Sequence, residues 1–323
     1  MKRILWLVAL VAAQCCSGQN CTQTVPLTVL DSGTGLAIPN LPAEVLQARL
    51  GKDAVPVIGI KQTRTRRLLI LVDQSGSITK APTDSTFSHE RKATDVTLRV
   101  LDELMGELPA DLSVEYALFD DQWVFGDAFS SDSKAVRKSM VEVGAKFEKT
   151  GKGKTAIFDA LHEGLMRFQT IQPGDAILLF TDGQDNRSKR SEKQLETELR
   201  ASGVRLFTIL LAGHTFAPEE RLSQDTLVVL TKRSGGVVRV LDATNTGWGF
   251  DKLSQAAAQD LRRFWKEEVL TGYLLQVQVP ANFNKERKWT LAINPAADPR
   301  FKSAVVSYPD RLLPCPAITA TTR

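Results

Sequence analysis

The chain has 323 residues, of which 43% are hydrophobic, and its 41 basic and 37 acidic residues give a formal net charge of +4. This composition excludes a disordered chain, and the length allows one large or two small domains. The near-balanced charge argues against a dedicated nucleic-acid binder, which presents a concentrated basic surface.

Residues 1–18 have the pattern of a secretory signal peptide. Lys2 and Arg3 precede a short apolar stretch over 4–13, and small residues then lead to a cleavage point near Gly18. The apolar stretch is too short to cross a bilayer, and no later segment approaches the length of a transmembrane helix. The sequence therefore predicts an exported protein, secreted or held in the periplasm or cell envelope, without a membrane span.

The four cysteines divide between the predicted signal and the mature chain. Cys15 and Cys16 lie in the signal, which leaves Cys21 near the start and Cys315 near the end. We predict a disulfide between this remaining pair. Lipid attachment is the alternative, but neither Cys15 nor Cys21 follows the small residue that a lipoprotein signal places there.

Secondary-structure patterns divide the rest of the chain into three segments. Residues 19–65 alternate apolar and polar residues over 25–60, with turn residues at 31–35 and 51–53, which predicts short antiparallel strands and one helical turn over 41–46. Residues 66–268 alternate strands with amphipathic helices, which predicts an α/β domain with a doubly wound, mainly parallel sheet. Its predicted strands are 68–72, 113–119, 123–125, 177–182, 205–211 and 237–241, and its predicted helices are 88–108, 133–147, 156–168, 191–201 and 253–268.

The last segment, residues 269–323, returns to strands, predicted over 273–279, 288–293 and 303–308 with prolines between them. We predict that the first and last segments pair into one small β domain beside the α/β domain, because the two cysteines would then be neighbours. Two unconnected β appendages are the alternative.

Five polar residues follow or precede these elements in a way that indicates a metal site. Asp73, Ser75 and Ser77 follow the first buried strand, Thr155 precedes a helix, and Asp182 ends a second buried strand. Open α/β sheets bind their ligands at the carboxyl ends of strands, and an all-oxygen set suits a hard cation such as Mg²⁺. The structural alternative is that the serines cap the next helix and Asp182 is a turn residue.

The D-x-S-x-S, Thr and T-D-G segments, in this order, resemble the metal-ion-dependent adhesion site of von Willebrand factor type A domains. The resemblance covers roughly residues 66–265, and the whole chain is similar to bacterial secreted proteins of the acidobacterial "VWFA-related" type. It implies that Ser75, Ser77 and Thr155 hold Mg²⁺, or Mn²⁺ or Ca²⁺, while Asp73 and Asp182 act largely through water. It also implies a protein partner that offers an Asp or Glu to the ion.

The sequence departs from the family near the threonine. Lys154 stands where such domains often have a second glycine, and Lys152 is close by. These cations would either weaken the binding of a divalent ion or attract an acidic ligand. With Gln74, Gln184 and Asp185, the lysine loop would form the rim that selects the partner.

We therefore predict a non-enzymatic binding protein. The histidines are scattered, and Ser75 lies outside any G-x-S-x-G nucleophile motif. One alternative is a scaffold of the cell envelope with a vestigial metal site, and a second is a Mg²⁺-dependent hydrolase. The partner's identity and the oligomeric state stay open.

Overall fold

The computed structural model describes residues 20–75, 101, 108–148, 153–212, 218–242, 259–280 and 282–315. The predicted signal over 1–18, Ser77, Lys152 and almost all of the predicted helix over 88–108 lie outside these residues. The strands, numbered in chain order, are β1 (Cys21–Asp31), β2 (Leu46–Leu50), β3 (Asp53–Val55), β4 (Val57–Arg64), β5 (Arg67–Asp73), β6 (Ser113–Phe119), β7 (Trp123–Phe125), β8 (Ala176–Thr181), β9 (Arg205–Ala212), β10 (Val238–Asp242), β11 (Thr271–Val279), β12 (Arg287–Lys288), β13 (Thr290–Ile293), β14 (Ala304–Ser307) and β15 (Arg311–Leu312).

A six-stranded sheet lies at the centre, in the order β10-β9-β8-β5-β6-β7. Its strands are parallel except β7, which runs antiparallel to β6. Alternate residues of β5 enter different cores, with Leu68, Ile70 and Val72 on one face and Leu69 and Leu71 on the other. Continuous apolar runs form these strands because both faces of the sheet are covered.

Four helices have defined bounds: α1 (Ser133–Phe147), α2 (Ile157–Arg167), α3 (Glu192–Ser202) and α4 (Pro218–Arg233). Local capping explains where two of them begin. Asp132 accepts a hydrogen bond from the Lys134 amide at the start of α1, and Ser191 forms a capping box with Gln194 at the start of α3. Helix α2, in contrast, receives no side-chain cap from its own Ala156.

The two flanking segments share one antiparallel sheet, in the order β14-β1-β11-β4. Strand β1 pairs with β11 in a register that runs from Cys21 opposite Val279 to Leu27 opposite Tyr273. A disulfide joins Cys21 to Cys315, with 6.1 Å between their Cα atoms. Two smaller sheets, β13-β2-β3 and β12-β15, complete this part of the chain, and its separation from the α/β domain as a unit of its own stays a prediction.

The guanidinium of Arg205, at the start of β9, connects the central sheet to the flanking one. Its Nη1 donates to the Thr271 carbonyl at 2.6 Å and its Nη2 to Thr65 Oγ1 at 2.8 Å. Arg205 is 2% exposed, forms no ion pair among the described residues, and has a pKa that burial lowers to about 10. A side chain at Gly272 would collide with it, so the glycine allows β11 to approach.

Several elements differ from the sequence predictions. Helix α4 was not predicted, and strand β1 begins at Cys21 because it continues pairing with β11 as far as Val279. The predicted strand over 288–293 is divided into β12 and β13, which belong to different sheets. The predicted helix over 253–268 is described from residue 259 onward and ends in a π-helical turn, Trp265–Val269.

The disulfide is expected to stabilise the fold. It closes a loop with a sequence separation of 294 residues, for which the chain-entropy model gives an upper figure of about 5 kcal/mol. A Cys21→Ser, Cys315→Ser variant should therefore unfold at lower urea concentration than the wild type, and dithiothreitol should affect only the wild type. Equal midpoints for the two proteins under oxidising conditions would contradict this expectation.

A buried acid should make stability depend on pH. Glu268 is 1% exposed, and burial raises its pKa from 4.5 to about 7 although it pairs with Arg239. The folded state then binds more protons than the unfolded state between these two values, so the contribution of Glu268 is fully present below pH 4.5 and is lost as the pH rises through about 7. Between pH 4.5 and about pH 7, the free energy of unfolding in urea should decline less for Glu268→Gln than for the wild type. An equal decline in both proteins would contradict the assignment.

Candidate functional site

Asp73 lies at the carboxyl end of the central sheet and is completely buried. Its Oδ1 accepts a hydrogen bond from the Ser75 amide at 2.8 Å, and its Oδ2 accepts one from Thr181 Oγ1 at 2.6 Å. Thr181 ends β8, which pairs with β5 directly. The sheet register therefore brings the ends of these two strands, and the residues that follow them, to one point.

The second carboxylate, Asp182, follows β8 and is 8% exposed. Its Oδ1 accepts from the Gln184 amide at 3.2 Å, as a turn residue would, and its carbonyl accepts from Gln224 Nε2 at 2.8 Å. Burial first, and then the charge of Asp182, raise the pKa of Asp73 to about 7. Two carboxylates close enough to repel each other in a buried position favour either a proton or a cation between them.

Thr155 is buried beside the same edge of the sheet. Its loop is attached to the end of β6 by Asp120, whose Oδ2 accepts from the Gly153 amide at 2.9 Å and whose carbonyl accepts from the Ala156 amide at 2.8 Å. Asp120 is itself fully buried. Asp120 was not predicted as a site residue, although it directly follows the apolar residues of β6, as Asp73 ends those of β5.

The loop after Asp182 is joined to the Thr155 loop by two hydrogen bonds. The Thr155 amide donates to Asn186 Oδ1 at 3.1 Å, and the Asn186 amide donates to the Thr155 carbonyl at 3.1 Å. The same loop caps α2, because Asp185 Oδ2 accepts from the Phe158 amide at 3.0 Å and Ser188 Oγ from the Asp159 amide at 3.1 Å. The missing local cap of α2 is thus supplied from the neighbouring loop.

Comparisons with known proteins find similarity only among solved structures. No family model matches the sequence, and no curated protein is significantly similar to it. Among solved structures, the chain is similar to a conserved hypothetical protein BatB from Bacteroides thetaiotaomicron, with 16% identity, a TM-score of 0.43, and coverage of 62% of this chain and 99% of that one. An aerotolerance-related membrane protein from Bacteroides fragilis, crystallised with multiple mutations to serine, gives 16% identity, a TM-score of 0.44, and coverage of 63% and 98%.

A von Willebrand factor type A structure from Catenulispora acidiphila is similar over more of the chain, covering 87% of it and 71% of that structure at 14% identity and a TM-score of 0.43. Such values say nothing about function. The strand order, with its antiparallel edge strand β7, and the described residues of the three motif segments at the carboxyl edge are this chain's own features. In these motif segments the central domain resembles von Willebrand factor type A (VWA) domains, and we call it the VWA domain for this resemblance.

The donors of the VWA domain fit a hard divalent cation. Asp73, Ser75, Thr155 and Asp182 are all buried at one edge and offer oxygen only. Within the described part of the chain, no group of three or more His, Cys, Asp and Glu residues could hold a metal ion, so this set depends on hydroxyls, including that of Ser77, which lies outside the described residues. Two acidic side chains, Asp73 and Asp182, are buried at one edge, and this arrangement favours a cation.

His162 takes no part in this site. Its Nδ1 lies 2.9 Å from Glu198 Oε2 on α3, and Arg190 Nη1 donates to the other oxygen of Glu198 at 2.5 Å. Arg190 is therefore partly buried and paired with Glu198, whereas Lys189 beside it is exposed.

Among the residues that the structure describes, no helix is long and apolar enough to cross a membrane.

The side chain of Asn186 should control the order of the Thr155 loop. Asn186→Leu removes the acceptor of the Thr155 amide, a hydrogen bond worth about 1 kcal/mol, whereas Asn186→Asp keeps an acceptor at the same place. Hydrogen exchange of the Thr155 amide in metal-free protein should be faster in Asn186→Leu than in the wild type or Asn186→Asp. The same exchange rate in all three proteins would show that the bond does not order the loop.

Proposed function

We propose that this chain is an exported, non-enzymatic protein whose VWA domain binds a protein partner through a divalent cation. Asp73, Ser75, Ser77, Thr155 and Asp182 would hold the ion, which is Mg²⁺ or, in its place, Mn²⁺ or Ca²⁺. The ion supplies an electrophilic centre that an Asp or Glu of the partner can bind. The single observation that supports the proposal best is the buried pair Asp73 and Asp182, in which burial first, and then the charge of Asp182, raise the pKa of Asp73 to about 7.

The residues of the chain perform distinct parts of this task. Thr181 donates to one oxygen of Asp73 and the Ser75 amide to the other, so the carboxylate is fixed before any ion arrives. Because Asp73 and Asp182 would act largely through water, the direct ligands from the chain would be neutral hydroxyls, which leave the ion electrophilic. The partner's carboxylate would then be the charged direct ligand, which makes the contact selective for acidic residues.

The disulfide supports export, because such bonds persist in oxidising compartments and are rare in the cytosol. We place the protein outside the cytoplasm, secreted or in the periplasm or cell envelope, with the segment 1–18 as its signal. We propose no nucleic-acid partner, in keeping with the near-balanced charge of the chain.

The test is capture of partners from the native source by the full chain, with Mg²⁺ or with EDTA, followed by the same assay with Ser75→Ala. Ser131→Ala, which alters an exposed serine before α1, is the matched control. Capture should fall sharply in EDTA and with Ser75→Ala, and should be unchanged with Ser131→Ala. Replacing the bridging Asp or Glu of the captured partner by its amide should have the same effect as EDTA.

Metal binding can be measured without a partner. Mg²⁺ should raise the melting temperature of the wild type, because a ligand that binds only the folded state stabilises it. Asp73→Asn removes one of the two charges, so it should lose this response while still folding in EDTA. Capture that persists undiminished in EDTA would favour a scaffold with a vestigial site, and a Ser75→Ala protein that fails to fold would assign that residue a structural role.

A further inference from the structure

Three basic side chains are exposed on the two loops that surround the candidate metal site. Lys154 directly precedes Thr155, while Arg187 and Lys189 follow Asp182 on the neighbouring loop. The reciprocal hydrogen bonds between Thr155 and Asn186 hold the loops side by side. These three residues therefore form one surface, which we call the cationic rim.

Two acidic side chains beside the rim, Asp185 and Asp159, accept hydrogen bonds from backbone amides. Asp185 accepts from the amides of Phe158 and Ser188, and Asp159, on α2, accepts from the amides of Lys189 and Arg190. Their charges are thus directed at backbone amides rather than at solvent.

The rim cations, in contrast, have no carboxylate partner among the residues that the structure describes. No ion pair among the described residues includes Lys154, Arg187 or Lys189, whereas Arg190 on the same loop is paired with Glu198. The charge that these loops present to a ligand is consequently positive.

A positive rim opposes the binding of a divalent ion at the site, because like charges repel. An anionic ligand removes this penalty, since it neutralises the ion and the rim together. We propose that the cationic rim selects a protein segment rich in acidic residues, of which one binds at the metal and others pair with Lys154, Arg187 and Lys189. This inference rests on the proposed function for its central contact.

We expect the contribution of the rim to binding affinity to come from its three charges together rather than from any single ion pair. One exposed ion pair contributes little, but several complementary charges around a contact direct association and disfavour neutral partners. A nucleic acid would also be attracted by such a rim. The chain as a whole has a formal net charge of only +4, however, which favours a local acidic segment over an extended polyanion.

The experiment compares three full-length proteins in Mg²⁺. The rim variant carries Lys154→Gln, Arg187→Gln and Lys189→Gln. The control variant carries Arg49→Gln, Lys52→Gln and Lys61→Gln, which remove the same charge from exposed positions in or between the flanking strands β2 to β4. The probes are a labelled Gly-Ser peptide with a single Asp, the same peptide with several flanking Glu residues, and an oligothymidylate of equal charge, each measured by fluorescence anisotropy.

The wild type and the control variant should bind the Glu-rich peptide more tightly than the single-Asp peptide, and the rim variant should lose about tenfold in affinity for it, as expected for three exposed charge pairs. Raising the ionic strength from about 0.1 M to about 1 M, which shortens the Debye length from about 10 Å to about 3 Å, should weaken the wild type more than the rim variant. The rim variant should bind Mg²⁺ alone more tightly than the wild type in calorimetry, because three repelling charges are removed.

Equal binding of the Glu-rich peptide by the rim variant and the wild type would overturn the proposal. Tighter binding of the oligothymidylate than of the peptide, or no binding of either peptide by the wild type, would overturn it as well. Rim-dependent binding of the Glu-rich peptide that persists in EDTA would support the rim and contradict the metal contact. Failure of the rim proposal and failure of the proposed metal contact are therefore distinguishable.

Discussion

The buried guanidinium of Arg205 is the interaction on which the arrangement of the chain depends. A charge that is 2% exposed must have its hydrogen bonds satisfied, since an unpaired buried donor is costly. Its partners, Thr65, Val269 and Thr271, lie just before β5 and around the start of β11. The positions where the chain enters and leaves the VWA domain are thus bound to the same side chain. This junction lies at the amino ends of β5 and β9, and the candidate site lies at the carboxyl edge.

Hydrogen bonds between residues 27 to 33 positions apart in the chain hold together the loops around the candidate site. Asp120, Asn186 and the Asp185 cap of α2 join three loops that follow or precede different elements of the domain. Each bond satisfies a backbone amide that would otherwise be unpaired at a helix start or a turn. The side chains that would meet a partner therefore project from a preorganised surface, which lowers the entropy that binding must overcome.

The elements that could be predicted from the sequence were those whose signal is local. Strand β6 and helix α1 have the predicted bounds, because a short, largely apolar segment and an amphipathic repeat each specify their own conformation. Helix α4 was missed since its apolar residues are concentrated in the run 227–230, which is typical of a strand as much as of a helix. Asp73 and Asp182 could be selected because each ends a buried run. Asp120 offers the same signal after β6, but its bonds to the Thr155 loop, like the contacts of Arg205, depend on which elements become neighbours.

The pairing of β1 with β11 and the bond from Cys21 to Cys315 have a mechanical consequence. The VWA domain lies within the covalent loop that the disulfide closes. Tension applied to the backbone at Cys21 and at Cys315 would pass through the disulfide and leave the residues between them unextended. Force transmitted through a bound partner, in contrast, would enter at the carboxyl edge of the central sheet and cross its hydrogen-bonded strands to reach the Arg205 junction. The fold thus isolates the central domain from a pull along its own backbone, while a pull from a ligand at the candidate site would be carried through the domain.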